Sequence, residues 1–333
     1  MPYITLFYSS LLLGTIMALS GAHWVFVWLG LELNLLSFIP LLTSHHQTHS
    51  AAPAMTYFLA QALGSSLLLM GATSLFMSSQ LPLPTFFPSF ALFLGLLTKL
   101  GLPPCHFWFP SIMSLISWPM CIILTTWQKL APMLLLFQLL TPNKSLFILT
   151  LVLLGALTGG LGGLNQTQLR PLLAYSSIGH MSWMVAASTT SLMSAMTYLM
   201  VYIMTTIPLM LLLNHSSSHT NLTSLPLTSL PPLLLFNLLI LILSLGGLPP
   251  LLGFFPKWLV IESLSSSFPI LLFVTLLGSV LNLYYYLNLI FINILTPMKF
   301  PILPSIPSYS PPLTLLTLLA SATLGLSPIL LMF

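Results

Sequence analysis

Apolar residues run along this chain in long blocks rather than in strict alternation. A window of about 19 residues picks out eleven of them, over roughly 3–20, 23–42, 54–77, 87–116, 118–140, 146–163, 170–188, 191–213, 231–264, 268–295 and 312–332. A helix that crosses a bilayer takes about 20 residues, so each block has the length of a span. The joints between them are polar or Pro-rich, as at 44–50, 141–144, 165–168, 214–221 and 297–312. None is long enough for a separate soluble domain. The pattern predicts an all-α polytopic membrane protein of about eleven transmembrane helices, with residues 1–333 forming a single membrane-embedded domain. The alternation and polar lumen face of a membrane β-barrel are absent.

Two blocks are longer than a membrane needs, and both carry the same interruption. The first contains Gly101, Leu102, Pro103, Pro104 and then Phe109 and Pro110; the second contains Gly247, Leu248, Pro249, Pro250 and then Phe255 and Pro256, at identical spacing. As the fourth and ninth blocks they cross in opposite directions. Paired Pro-interrupted segments in corresponding halves point to inverted repeats whose broken helices build a transport site. The halves would centre on broken helices 87–116 and 231–264. Two unrelated proline kinks are the alternative, since Gly and Pro are frequent in membrane helices.

Composition turns the pattern into an exclusion. Of 333 residues, 57% are hydrophobic and 2% charged, six Lys/Arg against two Asp/Glu. Soluble domains carry about 25% charged residues, so a cytosolic enzyme, a nucleic-acid binder and a disordered scaffold are all excluded. The net charge of +4 is too thin to form a basic patch. Cys105 and Cys121 lie in apolar stretches and suggest neither a disulfide framework nor a thiolate metal site. No basic or Arg-rich leader precedes the first block, which fits insertion from the side of synthesis. Arg170 and Lys299 fall on the N-terminal side and Lys144 on the other, which leans toward an N-terminus on the side of synthesis.

Four of the eight charged residues lie well inside the blocks: Glu32, Lys99, Lys129 and Lys257. At a helix centre each costs about 2.5–3.5 kcal/mol, about 10–14 kcal/mol together. Such residues face protein or water, pair with one another and mark ion or proton pathways. Pro103 has no N–H and would free the carbonyl of Lys99; Pro132 would do the same for Gln128, beside Lys129. Burial penalises an ammonium and a nearby carboxylate stabilises it. Moving Glu32 toward or away from a lysine therefore loads or releases a proton. Lys129 sits centrally in a block expected to be unbroken. The alternatives are snorkelling to the headgroups, chiefly for Lys257, and a structural hydrogen-bonding role for Glu32. Glu262 lies about 140° around a regular helix from Lys257 and reads as an interfacial end residue.

His106, in the first interruption, and His180, on one face with Ser176 and Ser177, are candidate relays, with satisfied interior histidines as the alternative. His45, His46 and His49 fall in a polar joint and read as solvated rather than metal-binding. The run Gly159, Gly160, Leu161, Gly162, Gly163 does not fit a dinucleotide fingerprint and suggests close helix packing. No Walker loop, iron–sulfur cysteine cluster or haem pattern is present. No redox cofactor and no metal is expected in this chain.

Five ordered motifs then carry a resemblance: Trp28 to Asn34 around Glu32, Lys99 to Trp108, Thr126 to Pro132 around Lys129, Gly163 to His180, and Ser244 to Trp258. Together they resemble the NADH dehydrogenase subunit 2 family of mitochondrial complex I, over nearly the whole chain. The resemblance implies an antiporter-like subunit of the membrane arm with eleven helices, its animal form shortened at the N-terminus. It implies that Glu32 faces Lys99, that Lys129 is the central lysine, and that Lys257 belongs to the second broken helix. It implies proton movement coupled to electron transfer from NADH to ubiquinone, with NADH, flavin, iron–sulfur clusters and ubiquinone handled by other subunits. The partners would be neighbouring membrane-arm subunits and lipid. The location would be the mitochondrial inner membrane, with the N-terminus on the matrix side. Residues 111–118 depart from the family pattern, being apolar where an acidic residue and a Gln-Gly turn are usual. A free-standing cation/proton antiporter fits the broken repeats, although two acidic residues are few for hard cations, which prefer oxygen ligands. A structural membrane-arm subunit without conduction is the third reading.

Overall fold

The computed structural model describes residues 2–43, 51–78, 86–140, 145–219 and 232–295. Among them are thirteen α-helices and no strands. In lipid every backbone N–H and C=O must find its partner inside the protein, and a helix supplies nearly all of them from its own backbone. The described residues form two compact units, one up to Ser145 and one from Leu146. The first holds α1 (Pro2–Ser20), α2 (Trp24–Thr43), α3 (Ala51–Ser78), α4 (Phe86–Leu100), α5 (Trp108–Leu115), α6 (Trp118–Thr125) and α7 (Trp127–Leu139). The second holds α8 (Ser145–Leu164), α9 (Leu169–Ser188), α10 (Leu192–His219), α11 (Pro232–Gly246), α12 (Phe254–Ser267) and α13 (Pro269–Leu295).

Ten of the eleven expected spans are present as a helix or a helix pair. The block 312–332, the joint carrying His45, His46 and His49, and both Lys144 and Lys299 lie outside the described residues. Among the described residues seven segments are long and apolar enough to cross a membrane, and the protein is a multi-pass membrane protein. Helix α9 fails that test of hydropathy yet is buried almost end to end. Its serines and His180 therefore face protein, not lipid.

The expectation of an unbroken span over 118–140 is corrected. The chain is interrupted at Thr126, between α6 and α7, three residues before Lys129. Local chemistry accounts for it. Thr125 donates from its hydroxyl to the carbonyls of Cys121 and Ile122 at 2.9 and 3.2 Å, and Thr126 donates to Ile122 at 2.6 Å. Such back-bonding bends helices. The Lys129 amide then closes on the carbonyl of Thr126 at 3.3 Å, a tight three-residue step.

In the first unit, Gly64 of α3 lies against Gly95 and Thr98 of α4, with no room for a side chain between them. This close crossing of small residues draws the Gln61 face of α3 onto the Lys99 end of α4. The apolar segment 111–118 continues as α5, where Ile112 and Met113 are fully buried. In the second unit the glycine run of α8 does what its composition suggested: Gly159 abuts the backbone of Gly179, Gly160 the side chain of Leu281, and Gly163 the ring of Tyr285.

Candidate functional site

Both Gly-Leu-Pro-Pro segments are helix interruptions, and the helices stop at the two glycines in the same way. Helix α4 ends with Gly101 at φ +70°, and α11 with Gly247 at φ +80°, a left-handed conformation that glycine adopts without a Cβ penalty. The Gly101 amide donates to Thr98 and that of Leu102 to Leu97; the Gly247 amide donates to Ser244 and that of Leu248 to Leu243. These are the two bonds of a Schellman stop. One turn on, Cys105 donates to Leu102 and Leu251 to Leu248, both at 3.0 Å. Gly101 thus corresponds in backbone role to Gly247, whereas the Pro103–Pro104 peptide bond is cis and the Pro249–Pro250 bond is not.

The side chains do not match. Aligning the breaks pairs Lys99 with Leu245 and Lys257 with Ser111. One break carries its lysine before the interruption and the other after it. Lys257 reaches back across its break and donates from Nζ to the carbonyl of Gly246 at 2.8 Å. Gly246 is the last residue of α11, whose end carbonyls lack helical partners and carry partial negative charge. An ammonium placed there satisfies one of them. Lys257 is 6% exposed, so it does not snorkel.

In the first unit, Lys99 and Lys129 are 7% and 6% exposed and line one cavity with Tyr57, Gln61, Trp108, Phe109 and Gln128. An adjoining cavity adds Asn34 and Pro132. The Lys99 carbonyl, which Pro103 deprives of its helical donor, accepts from Gln61 Nε2 at 3.2 Å. The indole Nε1 of Trp108 folds back to donate to the carbonyl of Thr98 at 3.0 Å. Gln128 Nε2 donates to Asn34 Oδ1 at 2.9 Å, and the Tyr57 hydroxyl donates to Gln128 Oε1 at 3.4 Å. The Lys129 ammonium stands 4.5 Å over the ring of Phe109. Glu32, on α2, is half-buried, lines neither cavity and lies within Coulombic range of both Lys99 and Tyr57. His106 is buried against Phe107, ring centroids 4.2 Å apart, and it lines neither cavity.

In the second unit, His180 Nδ1 is 3.0 Å from the Tyr198 hydroxyl, and its ring centroid is 5.4 Å from that of Tyr202. Glu262 is exposed. Among the described residues no group of three His, Cys, Asp or Glu side chains is placed to hold a metal ion. The lysine-lined cavity thus brings two ammonium groups together with the amides of Gln61 and Gln128 and the Tyr57 hydroxyl in otherwise apolar surroundings.

Sequence reasoning missed Gln61 and Tyr57 as members of this site, and a signal was present. Tyr57, Gln61 and Ser65 recur every four residues along α3, which puts three polar groups on one face of the span. All three are buried. One consequence is measurable: Gln61→Leu keeps volume but leaves the Lys99 carbonyl without its donor, at about 1–3 kcal/mol. Thermal unfolding of the purified variant should shift down accordingly; an unchanged midpoint would mean that another donor replaces the amide.

Comparison with known proteins follows the same outline. Residues 21–282 match the family model described as NADH:quinone oxidoreductase/Mrp antiporter, TM. The chain is 43% identical over 290 residues to NADH-ubiquinone oxidoreductase chain 2 of Lumbricus terrestris, covering 87% of this chain and 86% of the relative. It is 37% identical over 351 residues to the protein of the same name from Oryzorictes hova, covering 100% of this chain and 99% of that one. Among solved structures, a chain of respiratory complex I from Thermus thermophilus superposes with a TM-score of 0.82 at 27% identity, covering 98% of this chain and 78% of that one.

Proposed function

The chain belongs to the family of NADH:quinone oxidoreductase/Mrp antiporter membrane proteins, and from that premise we propose that it is a proton-translocating subunit of the membrane arm of respiratory complex I. The observation that carries this reading is the burial of three lysines inside a membrane protein with eight charged residues in all. Charge kept out of water and lipid at this cost serves a pathway.

In this reading Glu32, Lys99, Lys129 and Lys257 carry the protons, with His180 as a relay. Glu32 acts on Lys99 through Coulombic range: approach of the carboxylate favours the ammonium, and withdrawal favours release of its proton. Tyr57, Gln61, Asn34 and Gln128 hold the cavity open and orient what occupies it. His106, packed on Phe107 away from the two cavities, takes a lesser part. Electron transfer from NADH to ubiquinone is the work of other subunits, and this chain holds no redox centre of its own. Its partners are the neighbouring membrane-arm subunits, and its membrane is the mitochondrial inner membrane with the N-terminus on the matrix side.

Two measurements on the same membranes test this. Tagged chain should co-purify with a multi-subunit assembly that oxidises NADH, and proton uptake should appear only when NADH and quinone turn over. Cation/proton exchange by the isolated chain in vesicles, with no NADH dependence, would replace this reading with a free-standing antiporter.

A further inference from the structure

One polar chain in the first unit crosses three helices and has a direction. The Tyr57 hydroxyl of α3 donates to Gln128 Oε1 of α7 at 3.4 Å, and Gln128 Nε2 donates to Asn34 Oδ1 of α2 at 2.9 Å. Asn34 and Tyr57 are buried, with Gln128 half-buried between them. Each member sits beside a charged group. Asn34 is two residues from Glu32, Gln128 is next to Lys129, and Tyr57 lines one cavity with both Lys99 and Lys129. Glu32 is within Coulombic range of Tyr57 as well. The charged groups around Tyr57 are therefore Glu32 from α2, Lys99 from α4 and Lys129 from α7.

The ring of Tyr57 is held, but its hydroxyl proton is not. Phe38 and Trp108 meet the ring edge-on, centroids 5.1 and 5.9 Å away, so the ring stays in line. Helix α1 presses so closely on α2 that a methyl on Gly14 would lie 2.9 Å from the Asn34 amide nitrogen, which fixes that end of the chain. What stays free is rotation about terminal torsions. A tyrosine O–H turns about its C–O bond, and a side-chain amide turned by about 180° exchanges N and O within nearly the same outline. When both amides turn, Asn34 Nδ2 donates to Gln128 Oε1 and Gln128 Nε2 donates to the Tyr57 oxygen. Both hydrogen bonds survive, and their direction is reversed.

We propose that Asn34 and Gln128 are positioning residues that set the polarity of the Tyr57 hydroxyl, and that their joint reversal switches it between acceptor and donor toward the lysine cavity. In the direction the structure shows, the Tyr57 proton is committed to Gln128. Toward the cavity its oxygen then only accepts, which favours an ammonium at Lys99 or Lys129. In the reversed direction the O–H is released to donate, which favours a neutral amine. The tyrosine keeps its proton throughout, and no covalent bond forms or breaks. Asn34 lies on the helix of Glu32 and Gln128 on that of Lys129, so a shift of either helix reaches the hydroxyl through this chain.

The inference rests on the proton-translocating reading above, so its test carries Lys129→Met beside the variants of the chain, all in the assembled complex. Asn34→Asp is the informative one. An ionised carboxylate only accepts, so Gln128 must donate to it, and the chain is locked in its present direction with both hydrogen bonds kept. The expected result is normal assembly and NADH-driven proton translocation slowed about tenfold, the size of one oriented hydrogen bond. Tyr57→Phe should be slowed to a similar degree, and Asn34→Asp added to it should cost nothing more, because it acts through the hydroxyl. A further loss in that background shows the new charge acting by its field alone and overturns the switch. Infrared difference spectra with labelled tyrosine give the direct readout. The Tyr57 C–O band, assigned by its loss in Tyr57→Phe, should move during turnover of the native complex and stay fixed in Asn34→Asp. A band fixed in both overturns the switch. Native rates in Asn34→Asp with Lys129→Met impaired overturn the switch and leave the lysine reading standing. Lys129→Met without effect overturns that reading at this lysine and leaves the switch to the infrared result. If Asn34→Asp fails to assemble, Gln128→Glu, whose carboxylate likewise forces Tyr57 to donate, takes its place in the same cycle.

Discussion

Lys129→Met should assemble normally and translocate protons slowly. Methionine matches the length and apolar stem of lysine and deletes the titrating group. The ammonium it removes is buried, lines a cavity with Lys99, and stands over the Phe109 ring. Losing that cation–π contact costs about 0.5–2 kcal/mol. Removing a buried charge gains back a desolvation penalty of at least that size, so the net change in stability should be small. Function has no such compensation. A positioned proton-transfer group contributes about 10²–10⁴ in rate, and the expected loss of coupled turnover is on the order of 10²-fold. The checks are native-gel assembly and the proton/electron ratio on one membrane preparation. Normal assembly with unchanged translocation would remove Lys129 from the mechanism, and lost assembly would make its role structural.

Gly247→Ala should damage both the fold and the second lysine. At φ +80° an L-residue costs about 1–2 kcal/mol. The added methyl would also land 2.6 Å from Lys257 Nζ and 2.8 Å from its Cδ, so the side chain that donates to Gly246 must leave its carbonyl. Gly101→Ala is the control. It pays the same backbone cost, but its methyl meets Phe109 and Trp108, not a lysine. Both variants should lose thermal stability by similar amounts, about 2 kcal/mol, and Gly247→Ala should lose activity beyond what Gly101→Ala loses. Equal losses of activity would show that the position of Lys257 over its break matters no more than the packing of Trp108 and Phe109 at the other.

The division between what was legible and what was not follows from the range of each interaction. Residues Gly101 to Pro104 and Gly247 to Pro250 announced their interruptions because glycine and proline act on their own backbone, within one turn. The membrane-spanning character followed just as directly, since transfer to lipid is nearly additive over a block of apolar residues. The break at Thr126 was missed although its cause is local. Two adjacent threonines do not stand out against the proline at 132, and what they do depends on whether both hydroxyls turn back to carbonyls or out to a neighbour.

By itself, then, the sequence determined the solvent, the helical class, the placement of the two Gly-Leu-Pro-Pro breaks and the identity of the expensive charges, because each of these is an energy summed over neighbours in the chain. Tertiary structure alone decided who completes the site. That Gln61 takes the carbonyl orphaned by Pro103, that Gln128 bridges Asn34 and Tyr57, and that Lys257 turns back to Gly246 all depend on which helix faces cross. Those crossings are set by small residues such as Gly64 and Gly95, and their partners lie tens of residues away. A hydrogen bond works over about 3 Å, so its partner cannot be read from the chain until packing has brought the two groups together.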